Sequence, residues 1–219
     1  MNLRYNIRTN PLMITPFIAL GVPSNDYTYF AHSAAGTLQR EYAVGCSAGR
    51  ALSPLLQRAY SEATYSFVVP EQVLGIRTYR SRLDWDFGYF ASSRITVRAL
   101  GALQIGHSGL NTGDSATDLG DFPIRNPSNV RWFHHDQTSR ISYLNLGGAG
   151  SATLRKSWTL FAGLTTTVWG RNGHALSLGE IFGVSWRFRT PWTGAQSETY
   201  RDAAEHDDEN HTKTPPHVH

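Results

Sequence analysis

Four charges at every second position, Arg80, Arg82, Asp84 and Asp86, form the densest chemistry-bearing pattern in the chain. Period-two spacing puts them on one face of an extended strand, with Tyr79, Ser81, Leu83, Trp85, Phe87 and Tyr89 on the other. Arg58 and Glu62 on the preceding ribbon, and Arg94 and Arg98 on the following one, extend the charged face. Such a row can set the ion or solute preference of a water-filled path. Alternatively, its charges neutralise one another and fill a narrow interior. An eight-stranded interior is only wide enough for side chains, whereas a larger barrel leaves a channel. Both readings stay open at this level.

Two further clusters carry reactive groups. His134-His135-Asp136 holds three metal-ligating or proton-transferring side chains, but neighbours on an extended segment point apart. The triplet becomes a site only where a loop folds it towards His174 or His107. Arg171-Asn172-Gly173-His174 reads first as a tight turn, because Asn-Gly supplies the positive-φ residues of a hairpin. Arg171 and His174 could also hold a phosphate or solute at a rim. Ser177 follows His174 by three positions, which places the two on opposite faces of a strand and weakens a Ser–His catalytic pair. No catalytic residues, no metal ligands and no cofactor are expected.

The elements that must position these groups are long alternating ribbons. They cover about Leu12–Leu20 (interrupted by Pro16), Leu38–Ala48, Arg58–Val69, Leu74–Tyr89 and Ile95–Ile105, then a Gly-rich stretch near Arg140–Gly150, Trp158–Val168 and Leu176–Phe188. Most are about 10–14 residues, longer than the usual five or six and sufficient to cross a bilayer at a tilt. Leu3, Tyr5 and Ile7 alternate with polar residues, as in a strand already under way, and no signal peptide is visible; the expectation is of a longer precursor. No convincing helix is expected. Residues 190–219, rich in Asp, Glu, His, Thr and Pro, read as a disordered tail after a barrel domain over 1–189.

The connections alternate in length. Short ones are expected near Arg50–Gln57, Phe90–Ser93 and Ser151–Lys156. Long ones are Val22–Gly36 and His107–Thr138, with tighter links at Pro70–Val73 and Arg171–Ala175 on the same side. Bacterial outer-membrane barrels keep short turns on the periplasmic side and long loops outside. Trp85, Tyr89, Phe90, Trp158, Trp186 and Phe188 gather mostly towards the short-turn side, as an interfacial aromatic girdle does.

Composition agrees. The 219 residues hold 20 Gly, 12% aromatics, one Cys and a net charge of +3. Mean hydropathy is −0.35, and no run of about 18 apolar residues exists to make a transmembrane helix. A lone Cys46 excludes an internal disulfide and a multi-Cys metal site. Scattered Arg, not clustered or interleaved with stacking aromatics, is a poor nucleic-acid signal.

Gly183-Val184-Ser185-Trp186-Arg187-Phe188 resembles the terminal strand recognised by the barrel-assembly machinery, with Gly183, Trp186 and Phe188 at its glycine and hydrophobic positions. Thr15-Pro16-Phe17, Gly21-Val22-Pro23-Ser24, His134-His135-Asp136 and Gly170-Arg171-Asn172-Gly173-His174-Ala175-Leu176 resemble segments of a little-characterised group of proteobacterial outer-membrane proteins, similar to the transporters linked with meta-pathway phenol degradation. The resemblance spans about residues 10–188 and implies additional strands and a signal peptide ahead of them.

The expectation is therefore an all-β, antiparallel up-and-down transmembrane barrel of at least eight strands, compatible with the C-terminal part of one with 10–12. It sits among outer-membrane lipid and passes a small, aromatic or apolar solute. Arg58, Glu62, Arg80, Arg82, Asp84, Asp86, Arg94 and Arg98 line the lumen, and His134, His135, Asp136, Arg171, Asn172 and His174 form the outer rim. Three alternatives remain: a closed structural or adhesive barrel, an outer-membrane lipid-modifying enzyme with His174 as base, and a soluble lipocalin-like binder.

Overall fold

Each long ribbon pairs with its chain neighbour in the computed structural model, which describes residues 1–9, 11–24, 38–113, 117–126, 128–155 and 157–186. The strands are β1 (Asn2–Arg4), β2 (Ile7–Thr9), β3 (Leu12–Gly21), β4 (Glu41–Ala51), β5 (Ala59–Pro70), β6 (Arg80–Phe90), β7 (Ile95–Gly106), β8 (Ser142–Arg155), β9 (Trp158–Arg171) and β10 (Gly179–Trp186). They form one antiparallel up-and-down sheet in the order β1-β3-β4-β5-β6-β7-β8-β9-β10, with β2 also on β3. β1 and β10 end the sheet and do not pair with each other, so the sheet is open and closure into a barrel is not established. Phe188 and residues 190–219 lie outside the described residues.

Pro16 acts on its neighbour rather than on its own strand. β3 runs unbroken through it. The Pro16 carbonyl accepts from the Tyr5 amide at 3.1 Å, so its missing N–H faces the same side. There the partner strand divides, β1 ending at Arg4 and β2 starting at Ile7. The gap falls where the ladder lacks a donor. Asn6 Oδ1 fills part of it by accepting from Thr15 Oγ1 at 2.9 Å.

The ribbon expected from Leu74 begins only at Arg80. Leu74 and Gly75 take φ of 50° and 80°, and Val73 and Ile76 exchange two backbone hydrogen bonds of 2.9 and 2.8 Å. A tight turn therefore occupies a segment whose apolar spacing mimics a strand. The expectation of no helix also fails, locally. The long loop contains α1 (Val130–Phe133) and α2 (His135–Thr138), each too short to leave a helical period in the sequence. Asn129 starts α1, its Oδ1 accepting from the Arg131 and Trp132 amides at 3.0 and 3.4 Å.

Register fixes two faces. Through the pairs Ser66↔Arg82, Arg82↔Gln104 and Gln104↔Tyr143, the charged residues share one face with Thr15, Ser47 and Thr64. That face is the sheltered one: Arg80 is 8% exposed and Gln104 6%. The opposite face bears Ile18, Val44, Tyr65, Val97, Leu164 and Val184, and Val44 and Leu164 are 57% and 55% exposed. Charge appears on this outer face at Arg50, beside a turn, at Arg171, the last residue of β9, and at Glu180, on the edge strand. Polar side chains predominate on the sheltered face, which also holds the buried Phe17 and Val68, and apolar ones predominate on the exposed face.

Close packing across the wall relies on aromatic rings laid over glycines. Phe17 covers Gly45, Tyr60 covers Gly88, Trp85 covers Gly101 and Phe161 covers Gly183, each pair directly opposed in register. A Cβ at any of these glycines would run into the ring. Rings over glycines let a sheet coil without opening gaps.

The strand ends joined through 52–58, 91–94 and 156–157 lie at one end of the sheet; those joined through 22–40, 71–79, 107–141 and 172–178 lie at the other. Tyr89, Phe90, Trp158 and Trp186 are at the short-turn end, where Trp158 and Trp186 stack at 5.6 Å. Trp85 is instead mid-strand, opposite Gly101. No helix among the described residues is long and apolar enough to cross a membrane.

Candidate functional site

Two charged clusters occupy the inner face at different heights. Near the long-loop end, the Arg80 guanidinium pairs with Glu41, and Arg82 reaches the other Glu41 oxygen at 3.9 Å while its Nε donates to Gln104 Oε1 at 3.1 Å. Glu41 and Arg80 sit on strands separated by β5, so their side chains meet over Val68. Lower down, Arg98 donates to Asp86 Oδ2 through Nε at 2.8 Å and again through Nη2. Tyr60 adds its hydroxyl to the same oxygen at 3.3 Å. Both strong contacts converge on Oδ2, and Asp86 Oδ1 is buried without a hydrogen-bond partner among the described residues.

Space remains between these clusters and the edge. A cavity of about 560 Å³ is lined by Glu62, Asp84, Asp86, Arg98, Asn145 and Thr165. A second, of about 320 Å³, lies near the loop end and is lined by Glu41, Arg80, Arg82, Gln104, Tyr143 and Asp136. Thus Glu62, Arg80, Arg82, Asp84, Asp86 and Arg98 are together on one wall. Arg58 and Arg94 fall one residue before β5 and β7. Both belong to turns: Arg58 takes φ of 63° and its carbonyl accepts from Phe90, and the Arg94 amide donates to Ser92 Oγ at 3.2 Å.

The long connection folds back over this end. Gln39 Nε2 donates to the carbonyls of Glu71 and Gln137 at 3.1 and 3.5 Å, and Thr78 Oγ1 to that of Gln137 at 3.4 Å. Leu110 and Ser139 form a parallel bridge. The loop has a small core of its own. Phe122, 1% exposed, meets Trp132 edge-on at 5.5 Å, and Arg125 lies 5.7 Å from the centre of the Trp132 ring.

This fold-back changes the rim. His134-His135-Asp136 is not extended; it spans the junction of α1 and α2. His135 and Asp136 both meet His174, whose Nε2 lies 3.3 Å from His135 Nε2 and 3.4 Å from Asp136 Oδ1. His134 turns away to Gln137. His107 also stays apart, bonded to Ser81 Oγ at 2.8 Å. Arg171 ends β9 and is exposed. Asn172 takes φ of 57°, as an Asn-Gly turn requires, although Gly173 does not share the positive φ. Among the described residues no hydrogen bond joins Ser177 to His174; Ser177 offers its carbonyl to Thr166 Oγ1 at 2.8 Å.

Glu41 is the member of the charged face that the spacing arguments leave out. Its signal was its inward parity at the start of β4, level with Arg80 at the start of β6. No family model, curated protein or solved structure matches the chain.

Proposed function

We propose that this chain forms the wall of an outer-membrane β-barrel that passes a small solute along its charged inner face. One observation carries the reading: buried Arg80 and Gln104 on the sheltered face against exposed Val44, Val97 and Leu164 on the other. A soluble monomer seldom exposes so continuous an apolar surface. In a bilayer that surface contacts acyl chains at no cost, and β4 to β9, of 11 to 14 residues each, suit the apolar band. The free edges of β1 and β10 must then be satisfied, since unpaired backbone groups are costly in lipid. Closure of the wall, by edge-to-edge pairing or by further strands, supplies that. Gly183 and Trp186 on β10, with Phe188 beyond it, are the residues the assembly machinery reads in this proposal.

The two cavities mark the solute path, with Arg82 and Arg98 as its cationic contacts and the loop 107–141 as its constriction. The resemblance around Thr15-Pro16-Phe17 and Gly170–Leu176 makes an aromatic or apolar compound the solute to try first. One observation favours the structural alternative: Glu41 with Arg80 and Asp86 with Arg98 neutralise each other, leaving less net field along the path.

Conductance and solute uptake by the full-length protein in liposomes separate the readings. Discrete conductance steps whose ion preference changes in Arg82→Glu or Arg98→Glu support passage. A folded, inserted protein with neither conductance nor uptake supports the structural wall. A chain that stays monomeric in buffer and does not insert overturns both.

A further inference from the structure

We propose that His135, Asp136 and His174 form a binding site for a divalent transition metal of the zinc class. The three donor atoms make a nearly equilateral triangle: 3.3 Å between the two Nε2 atoms, 3.3 Å from His135 Nε2 to Asp136 Oδ1, and 3.4 Å from His174 Nε2 to the same oxygen. A tetrahedral ion bonded at about 2.0–2.2 Å separates its donors by about 3.3–3.6 Å. An octahedral face at those bond lengths brings them to about 2.8–3.1 Å. The observed triangle is a tetrahedral face.

The protonation pattern matches. His135 Nδ1 lies 2.7 Å from the Trp132 carbonyl, which only accepts, so Nδ1 carries the proton. With that proton at Nδ1, Nε2 is the nitrogen left to face the other two donors and ligate an ion. Trp132 stacks on this ring at 4.3 Å and 6°, fixing its plane. Two imidazole nitrogens and a carboxylate oxygen within 3.4 Å of one another are the donor set that such an ion takes. Side chains of His135 and Asp136 are 6% and 14% exposed, whereas that of His174 is 57% exposed. Asp136 also borders the upper cavity. Three protein ligands leave a fourth position for water or an incoming ligand. A bound ion fastens the long loop to the β9–β10 connection, whether or not the wall conducts.

The test uses the full chain folded in detergent, with His206, His211, His217 and His219 changed to Gln so that the tail offers no imidazole. After treatment with EDTA and its removal, Co²⁺ is titrated and then displaced with Zn²⁺. One equivalent giving the intense visible absorption of tetrahedral Co²⁺ supports the site. His174→Ala and Asp136→Asn then weaken binding at least about 100-fold, since even losing an outer partner of a ligand costs 10–100-fold. His134→Ala and His107→Ala leave it unchanged. His174 is exposed, so its variant keeps the fold, checked by far-UV circular dichroism. Zn²⁺ also slows proteolysis within 107–141 only when all three ligands are present. No saturable binding, an octahedral spectrum, or full affinity in His174→Ala and Asp136→Asn overturns the proposal.

Discussion

Asn172 Nδ2 donates to Asn111 Oδ1 at 3.2 Å and to the Arg140 carbonyl at 3.1 Å, while its Oδ1 accepts from the Thr112 amide at 3.3 Å. One left-handed residue in the β9–β10 connection thus holds both ends of the 107–141 loop. Its backbone φ of 57° suits Asn or Gly, and its side chain makes the cross-links.

Removing that side chain separates the two roles. Asn172→Gly keeps the φ and loses the cross-links; Asn172→Ala loses both. Hydrogen exchange at Leu110 and Arg140, whose amides bond across the loop base, should accelerate in both variants. Global stability should fall by about 1 kcal/mol in Gly and by about 1–2 kcal/mol more in Ala. Unchanged exchange in Asn172→Gly would remove Asn172 as the fastening.

Glu41 and Arg80 form the most sheltered ion pair of the wall, with side chains 24% and 10% exposed. Glu41→Gln leaves Arg80 buried without its counter-charge and should cost about 3 kcal/mol, the low end for breaking a buried pair. Glu41→Gln combined with Arg80→Met should cost less than either change alone predicts by addition. Urea unfolding of the four proteins in one detergent measures the coupling. Strict additivity would mean the pair contributes nothing.

Charge placed on the two faces should behave oppositely. Leu164→Arg on the outer face should destabilise the folded protein in lipid by about 2–4 kcal/mol if it lies near the bilayer midplane. Thr165→Arg, one residue on and, by register with Gly147 and Gly179, on the inner face, should cost far less. Unfolding titrations in liposomes compare the two. A larger penalty at Thr165 would invert the assignment of faces.

Gly88→Ala should displace Tyr60, whose ring lies where the new Cβ must go. The Tyr60–Asp86 hydrogen bond is lost with it. A cost of about 1–3 kcal/mol is expected for the overpacking, with a changed near-ultraviolet dichroism signal. Gly148→Ala has room beside its Cβ, the nearest atom being 3.6 Å away, and serves as the control.

Much of the wall was legible in the residue order. Side-chain direction in a strand repeats every two residues and depends on local geometry alone. The alternation from Arg80 to Tyr89 therefore placed Asp84 and Asp86 on one face with Arg80 and Arg82; which face is sheltered was decided by the coil of the sheet. Connection lengths likewise fixed the two ends of the sheet. The sequence misled where a turn borrowed strand-like spacing, at Leu74 to Tyr79, and where two helices were too short to show a period.

Contacts that depend on the path of a loop or the coil of the sheet were settled only in three dimensions. Glu41 reaches Arg80, and His135 reaches His174, each across 39 residues. No local preference encodes either meeting. The first needs two long side chains to bridge an intervening strand, and the second needs a loop with its own core of Phe122, Trp132 and Arg125 to turn His135 and Asp136 towards the β9–β10 connection. Local sterics write faces into a sequence; convergence of distant side chains comes only from packing.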